Sequence, residues 1–238
     1  MNLRTLDYRY ADAVLDHPSF RVAKEEILRI LKAAPTPLLD PDPRRGGVKR
    51  RKREAHRGDA GDRYFFLPVD QKALNVHLDT QFRDAGWTLQ PPIVSSGRTG
   101  GPTTGLKGDY KKGRLQVEVQ FGNMARWYTD VFKFQLSYSL DEIDAAVLVV
   151  PMQKFANLID ENVAYFERVA RELPWAKMSL TLPILVIGVE PEDYGPVRAC
   201  YERAMVAWQE NEAARGVPIV PIPYDERITE VPSEEAEA

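Results

Sequence analysis

Two carboxylates and an amide, Asp109, Glu118 and Gln120, lie close together in the chain. They sit in the run Gly108-Asp109-Tyr110-Lys111-Lys112-Gly113-Arg114-Leu115-Gln116-Val117-Glu118-Val119-Gln120-Phe121-Gly122-Asn123, which reads as a short strand, a tight Lys-Lys-Gly turn and a second strand. Period-two alternation sends Glu118 and Gln120 to one face and Val117, Val119 and Phe121 to the other. A hairpin of this length brings Asp109, just before the turn, beside Glu118. Two carboxylates and an amide meeting at one point are the inventory of a Mg²⁺ site for phosphodiester cleavage. The competing reading of Glu118 is a solvated strand position paired with Arg114 or Lys112.

Other elements must hold this hairpin. The stretch 123–140, with Met124, Trp127, Tyr128, Val131, Phe132, Phe134, Leu136 and Tyr138, predicts a helix apolar around nearly its whole circumference and buried on several sides. Asn123 is placed to cap its start. Asp144–Val150 and Pro183–Val189 are continuous apolar runs of strand length, suited to central strands covered on both faces. A helix over 155–173 between them argues a right-handed crossover and a parallel pair. Upstream, residues 7–33 read as an amphipathic helix region interrupted at His17-Pro18-Ser19. Tyr64–Leu67 is a short aromatic strand, 69–86 a helix closed by Gly86, and 194–214 a further helix. The prolines at 218, 221 and 223 make the end too broken for a central strand. The Gly-rich loop Ser95–Gly105 lacks the G-x-x-x-x-G-K-[ST] pattern of a P-loop. The whole predicts an α/β fold and one domain over 1–238.

The order Asp109, eight residues, Glu118, one residue, Gln120, then Phe-Gly-Asn resembles the catalytic segment of the BglII-type restriction endonucleases, of the PD-(D/E)xK nuclease superfamily. The similarity runs over about residues 70–190. In that family Gln replaces the usual Lys of the motif, as Gln120 does here. The resemblance implies a restriction-endonuclease-like core: a mixed central β-sheet with a catalytic hairpin and flanking helices. It implies a Mg²⁺-dependent type II site-specific deoxyribonuclease that cuts double-stranded DNA at a short palindrome, GATC-centred in relatives. Mn²⁺ would substitute, and Ca²⁺ would bind without supporting cleavage. Asp109 and Glu118 would hold the metal, with the Val119 carbonyl as a further ligand. Gln120 would orient the attacking water, since an amide is too poor a proton acceptor to be the base. The family also carries an upstream polar residue near the metal; Asn75 is its candidate counterpart, with a surface helix position as the alternative. Asn123 and Arg126 follow as base-reading residues, because Asn pairs bidentately with adenine and Arg with guanine. Arg98, Arg50, Arg51 and Lys52 follow as phosphate contacts. A palindromic site requires a symmetric dimer, and the over-apolar helix 123–140 is its expected seam.

Composition is compatible with this and excludes other classes. The net charge is −3 and hydrophobic residues make up 44%, ordinary for a soluble globular chain. Charge is segregated, which suggests a local polyanion contact. Residues 44–57 carry eight Lys or Arg and one Glu, while 225–238 carry six acidic residues and one Arg. The first falls in an expected basic flexible loop over 40–62 and the second is an expected disordered acidic tail. No apolar run approaches a membrane span of about 20 residues, and the N-terminus lacks a signal-peptide core. A single cysteine, Cys200, excludes an intrachain disulfide and suits the reducing cytoplasm. One cysteine and three histidines are too few for a structural zinc site. The alternatives are a repair-type or less specific nuclease of the same fold, a catalytically inactive DNA-binding protein, and an α/β interaction protein with a chance motif.

Overall fold

Two seven-residue strands, β7 (Ala145–Pro151) and β8 (Ile184–Glu190), run parallel at the centre of the main sheet. Both are buried along almost their whole length. Their composition explains this: Ala145-Ala146-Val147-Leu148-Val149-Val150 and Ile184-Leu185-Val186-Ile187 offer no polar face to solvent, so only a strand covered on both sides can use them. In this computed structural model, residues 1–41, 63–93, 105–176, 179–216 and 220–229 are described, together with the backbone of 48–51.

The sheet has six strands in the order β1-β8-β7-β6-β5-β4. Strand β6 (Leu115–Val119) pairs parallel to β7, and β5 (Tyr110–Lys112) pairs antiparallel to β6. The two-residue strand β4 (Thr88–Leu89) closes that edge, and β1 (Asn2–Tyr8) pairs antiparallel to β8 at the other. The expected mixed α/β sheet with a hairpin feeding parallel strands is therefore present. A smaller sheet joins β2 (Val48–Arg51), β3 (Arg63–Phe66) and β9 (Val220–Pro221).

Helices cover the sheet. They are α1 (Ala11–Leu15), α2 (Pro18–Ala33), α3 (Gln71–Asp84), α4 (Arg126–Ser139), α5 (Gln153–Ile159), α6 (Phe166–Glu172), α7 (Gly195–Ala214) and α8 (Tyr224–Thr229). Asp70 caps α3 by accepting from the Ala73 N–H at 2.9 Å. Gly86, at a φ of +80°, turns the chain out of α3, where a residue without Cβ carries no steric cost. Phe82 of α3 stacks on Tyr110 of β5 with ring centroids 4.1 Å apart, which fixes the helix to the hairpin.

Five expectations need correction. The helix region over 7–33 begins only at Ala11, because Asp7 and Tyr8 end a strand that β8 templates. The single helix over 155–173 is two, α5 and α6, with extended backbone at Asp160 and Tyr165 between them. Asn123 is not the cap of α4: its Oδ1 accepts from the Ala125 N–H at 2.8 Å in a turn before the helix starts at Arg126. The acidic segment is helical over 224–229, where Asp225 and Glu226 occupy the first turn, a placement the helix dipole favours; residues 230–238 lie outside the described residues. Within the expected basic loop, Val48–Arg51 pairs with β3 as a strand. Among the described residues no helix is long and apolar enough to cross a membrane.

Candidate active site

The hairpin register pairs Tyr110 with Val117, so one step further Asp109 stands opposite Glu118. Side chains and backbone then cross over. The Asp109 N–H donates to Glu118 Oε1 at 3.3 Å, and the Val119 N–H donates to Asp109 Oδ2 at 2.8 Å. Asp109 and Glu118 are thus brought together as expected, with Val119 held against Asp109. Glu118 is fully buried, which overturns the reading of an exposed strand residue. Nor does it pair with the turn cations. Arg114 makes a two-pronged contact with Asp144, at 2.7 Å on each arm, and Lys112 pairs with Glu26 at 2.7 Å.

Gly108 explains how the strands come so close. A Cβ on it would lie 2.9 Å from Gln116 Nε2 and 3.0 Å from Glu118 Oε1, so both side-chain ends would have to shift. Gln116 Nε2 in turn donates to Glu118 Oε1 at 2.8 Å.

The face of β6 that carries Glu118 looks at α4, and here the helix is not apolar. Asp130, Lys133 and Ser137 form a buried polar stripe at the i, i+3, i+7 spacing of one helix face. Lys133 Nζ lies 2.5 Å from Glu118 Oε2 and 2.8 Å from Asp130 Oδ1, and donates to the Lys107 carbonyl at 3.2 Å. Gln120 Nε2 donates to Asp130 Oδ2 at 2.9 Å, and its Oε1 accepts the Gly122 N–H at 3.0 Å. Asp130 and Lys133 were not singled out from the sequence. The sequence offers only two charged residues three apart among the apolar Trp127, Val131 and Phe134; that both are buried follows from the docking of α4 on the sheet.

Charges in this pocket perturb one another. Burial, then Asp109, pushes the Glu118 carboxyl up to about 8 against the opposing pull of Lys133. Burial also raises Asp109, with the Val119 N–H and Lys133 acting the other way. Burial lowers Lys133, but Glu118 and Asp130 outweigh it and the net shift is upward. The two partners differ because the ammonium faces two carboxylates, whereas Glu118 also faces Asp109 and Asp130. Raised carboxylates in contact are stabilised by an added cation.

The donor set suits a hard cation held by few protein ligands. Asp109 and Glu118 offer carboxylate oxygens, the ligand type Mg²⁺ prefers, and Mg²⁺ usually takes only one or two carboxylates from a protein. Among the described residues no three His, Cys, Asp or Glu side chains form a metal-binding cluster, so an all-protein cage is not what this site offers.

The other predicted residues are more scattered. Asn75 is exposed on α3; one turn on, Asp79 accepts from Tyr110 Oη at 2.7 Å and contributes to the rise of Asp109. Asp79 is therefore the α3 residue nearest in effect to the carboxylates. Asn123 and Arg126 are exposed at the start of α4, and the Arg126 N–H donates to the Asn123 carbonyl at 2.9 Å. Arg50 and Arg51 lie in β2. Arg98 and Lys52 lie outside the described residues.

A family model described as restriction endonuclease BglII/BglIII matches residues 3–189, from β1 to β8. The fold is similar to the crystal structure of restriction endonuclease BglII complexed with a DNA 16-mer, at a TM-score of 0.57 and 19% identity over 81% of this chain and 79% of that one. It is also similar to the crystal structure of free BglII, at a TM-score of 0.54 and 18% identity over 81% of each chain. No curated protein matches the sequence. The structural likeness shows the fold; the sequence match reaches further and covers the hairpin, α4 and the central strands.

Proposed function

The chain belongs to the BglII/BglIII family of type II restriction endonucleases, and from that membership we propose that it cuts double-stranded DNA at a short palindrome with Mg²⁺ bound at Asp109 and Glu118. The observation that carries the reading is the convergence of these two carboxylates, joined by reciprocal contacts through the Asp109 and Val119 N–H groups. Asp109, Glu118 and the Val119 carbonyl would hold the ion. When bound, Mg²⁺ supplies positive charge to the scissile phosphate and lowers the pKa of attacking water; Mn²⁺ would substitute.

The chain's own groups then have separable tasks. Asp109 and Glu118 fix the site against the sheet. Gln120, tied by one amide proton to Asp130, keeps a second proton to orient the water. Asn123 and Arg126, exposed at the mouth of α4, meet base edges, and Arg50, Arg51, Lys52 and Arg98 meet phosphates. A GATC-centred palindrome is the expected target, and reading it needs two copies related by a two-fold axis. The outer face of α4 offers the seam: Tyr128 and Phe132 are 47% and 58% exposed one turn apart. Trp175, 87% exposed, follows soon after Glu172, to which Tyr128 Oη donates. The protein would act in the cytoplasm as a single nuclease domain.

Ca²⁺ tests the metal reading apart from cleavage. It should raise the melting temperature and support DNA binding without cutting. Both effects should vanish in Asp109→Ala and Glu118→Ala. Metal-free DNA binding that survives in both variants would favour a catalytically inactive DNA-binding protein, and no binding with any ion would favour a chance motif.

A further inference from the structure

Lys133 is a buried ammonium that the mechanism above does not use. It reaches into the site from α4 and spends its contacts on Glu118 Oε2, Asp130 Oδ1 and the Lys107 carbonyl. Asp130 is also the partner of Gln120, which bonds its other oxygen. The two oxygens of one carboxylate therefore receive the strand residue at 120 from one side and the helix residue at 133 from the other. A lysine extended from position 120 would meet the same carboxylate. Packing an ammonium among buried carboxylates is no cheaper than packing an aliphatic residue of the same volume, so stability alone does not account for it.

Resting on the nuclease reading of this site, we propose that Lys133 is its working lysine, delivered from helix α4 to the place that Gln120 leaves without a cation, and that its ammonium contacts the scissile phosphate. Two carboxylates hold it as a donor of hydrogen bonds. As the water oxygen bonds to phosphorus and the P–O3′ bond breaks, Lys133 donates to the non-bridging oxygen on which negative charge grows. The water gives its proton to solvent, and the departing O3′ oxygen takes one from solvent. To do this Lys133 exchanges its contact with Glu118 for one with phosphate, which frees Glu118 for the ion.

This exchange gives Lys133 a signature that a purely structural ion pair lacks. An ammonium beside a divalent cation repels it, so removing Lys133 strengthens metal binding while weakening cleavage. Lys133→Met, checked for its melting transition, should bind Ca²⁺ about tenfold tighter by titration calorimetry at a pH alkaline enough to ionise Glu118 in both proteins. In single-turnover cleavage of long unmethylated DNA with Mg²⁺ it should be slower by about 10²-fold, the scale of losing one donor to a transition-state oxygen. The double variant Gln120→Lys/Lys133→Met should recover most of the rate, and Lys133→Gln serves if the methionine variant does not fold. Cleavage by Lys133→Met at the wild-type rate would overturn the proposal and leave the nuclease reading standing. Weaker Ca²⁺ binding together with slower cleavage would also overturn it, in favour of a structural pair. Wild-type protein that binds Ca²⁺ and cuts nothing would overturn the nuclease reading itself, and the role of Lys133 with it.

Discussion

Lys133 Nζ and Glu118 Oε2 lie 2.5 Å apart with both side chains shut away from solvent, joining helix α4 to strand β6 where Asp109 also arrives. The pair makes the site a four-residue cluster of Asp109, Glu118, Asp130 and Lys133 rather than a hairpin alone. With all three carboxylates ionised its charge balance is short of two positive charges, the charge of one divalent cation, because a single ammonium faces them.

That deficit predicts how the metal-free protein responds to pH. The folded-state pKa of Glu118 stands above its ordinary value, at about 8. Its contribution to stability is therefore fully present below its ordinary value of 4.5 and is lost progressively as pH rises to about 8, above which the buried group has given up its proton. The melting temperature of metal-free protein should fall across this window, and Glu118→Gln should flatten the fall. Apparent Ca²⁺ affinity should run the opposite way, rising by up to about tenfold per pH unit below 8 for each proton displaced. Thermal melts and calorimetry over pH 6 to 9, about three units around that shift, check both slopes.

Arg114 predicts a response in acid. Its hydrogen bonds hold Asp144 below the ordinary carboxylate value of 3.8, and it also reaches the Asp141 carbonyl and carboxylate at 2.7 and 2.6 Å. A depressed carboxylate stabilises the fold above its unfolded pKa and loses that stabilisation as pH falls through the folded one. Asp144→Asn should thus cost under about 1 kcal/mol at neutral pH, since the pair is solvent-screened, and nothing below the carboxylate range. Denaturant melts at neutral and acid pH compare the two.

Gly108 predicts a site defect without a fold defect. A methyl group there meets Gln116 and Glu118 side-chain ends rather than backbone, so those ends must shift. Gly108→Ala should cost about 1–3 kcal/mol in stability, as overpacking does, and weaken Ca²⁺ binding because Glu118 is the group displaced.

The hairpin, α4 and the two central strands were legible because each is decided locally. Alternation, an apolar helix and an unbroken apolar run leave few other structures open. Strand β1 was not legible, since Leu3, Leu6 and Tyr8 do not alternate strictly and the strand exists through its pairing with β8. The interruption between α5 and α6 was hidden for the same reason: Asn123 bridges to Val163 across more than a helix length of sequence. The meeting of Asp109 with Glu118 was legible from the hairpin, and Gln120 was singled out only through the resemblance of the whole run Val117–Asn123, whereas Lys133 was not legible, because only the docking of α4 on the sheet turns a helix lysine into a buried neighbour of Glu118.

The exposed aromatics of α4 predict the oligomeric state. Tyr128 and Phe132 already have about half of their surface covered, so burying the remainder in both copies would contribute about 1 kcal/mol for each side chain, roughly half the value of a fully exposed one. If the seam exists as proposed, wild-type protein should sediment as a dimer and Tyr128→Glu/Phe132→Glu as a monomer in sedimentation equilibrium at micromolar protein. Its Ca²⁺ affinity should not change, since neither side chain touches the carboxylates. Wild-type protein that sediments as a monomer would remove the seam from the account.

The central claim, a site-specific nuclease centred on Asp109 and Glu118, is tested most directly by cutting a long unmethylated DNA of known sequence with Mg²⁺ beside Glu118→Ala. Discrete fragments with wild type and none with the variant are the expected result, and the fragment ends would show whether the site is built on GATC. A smear lost in the variant would mean a nuclease without restriction specificity. Cleavage unchanged in Glu118→Ala would contradict the account, because the reaction would then not pass through this site.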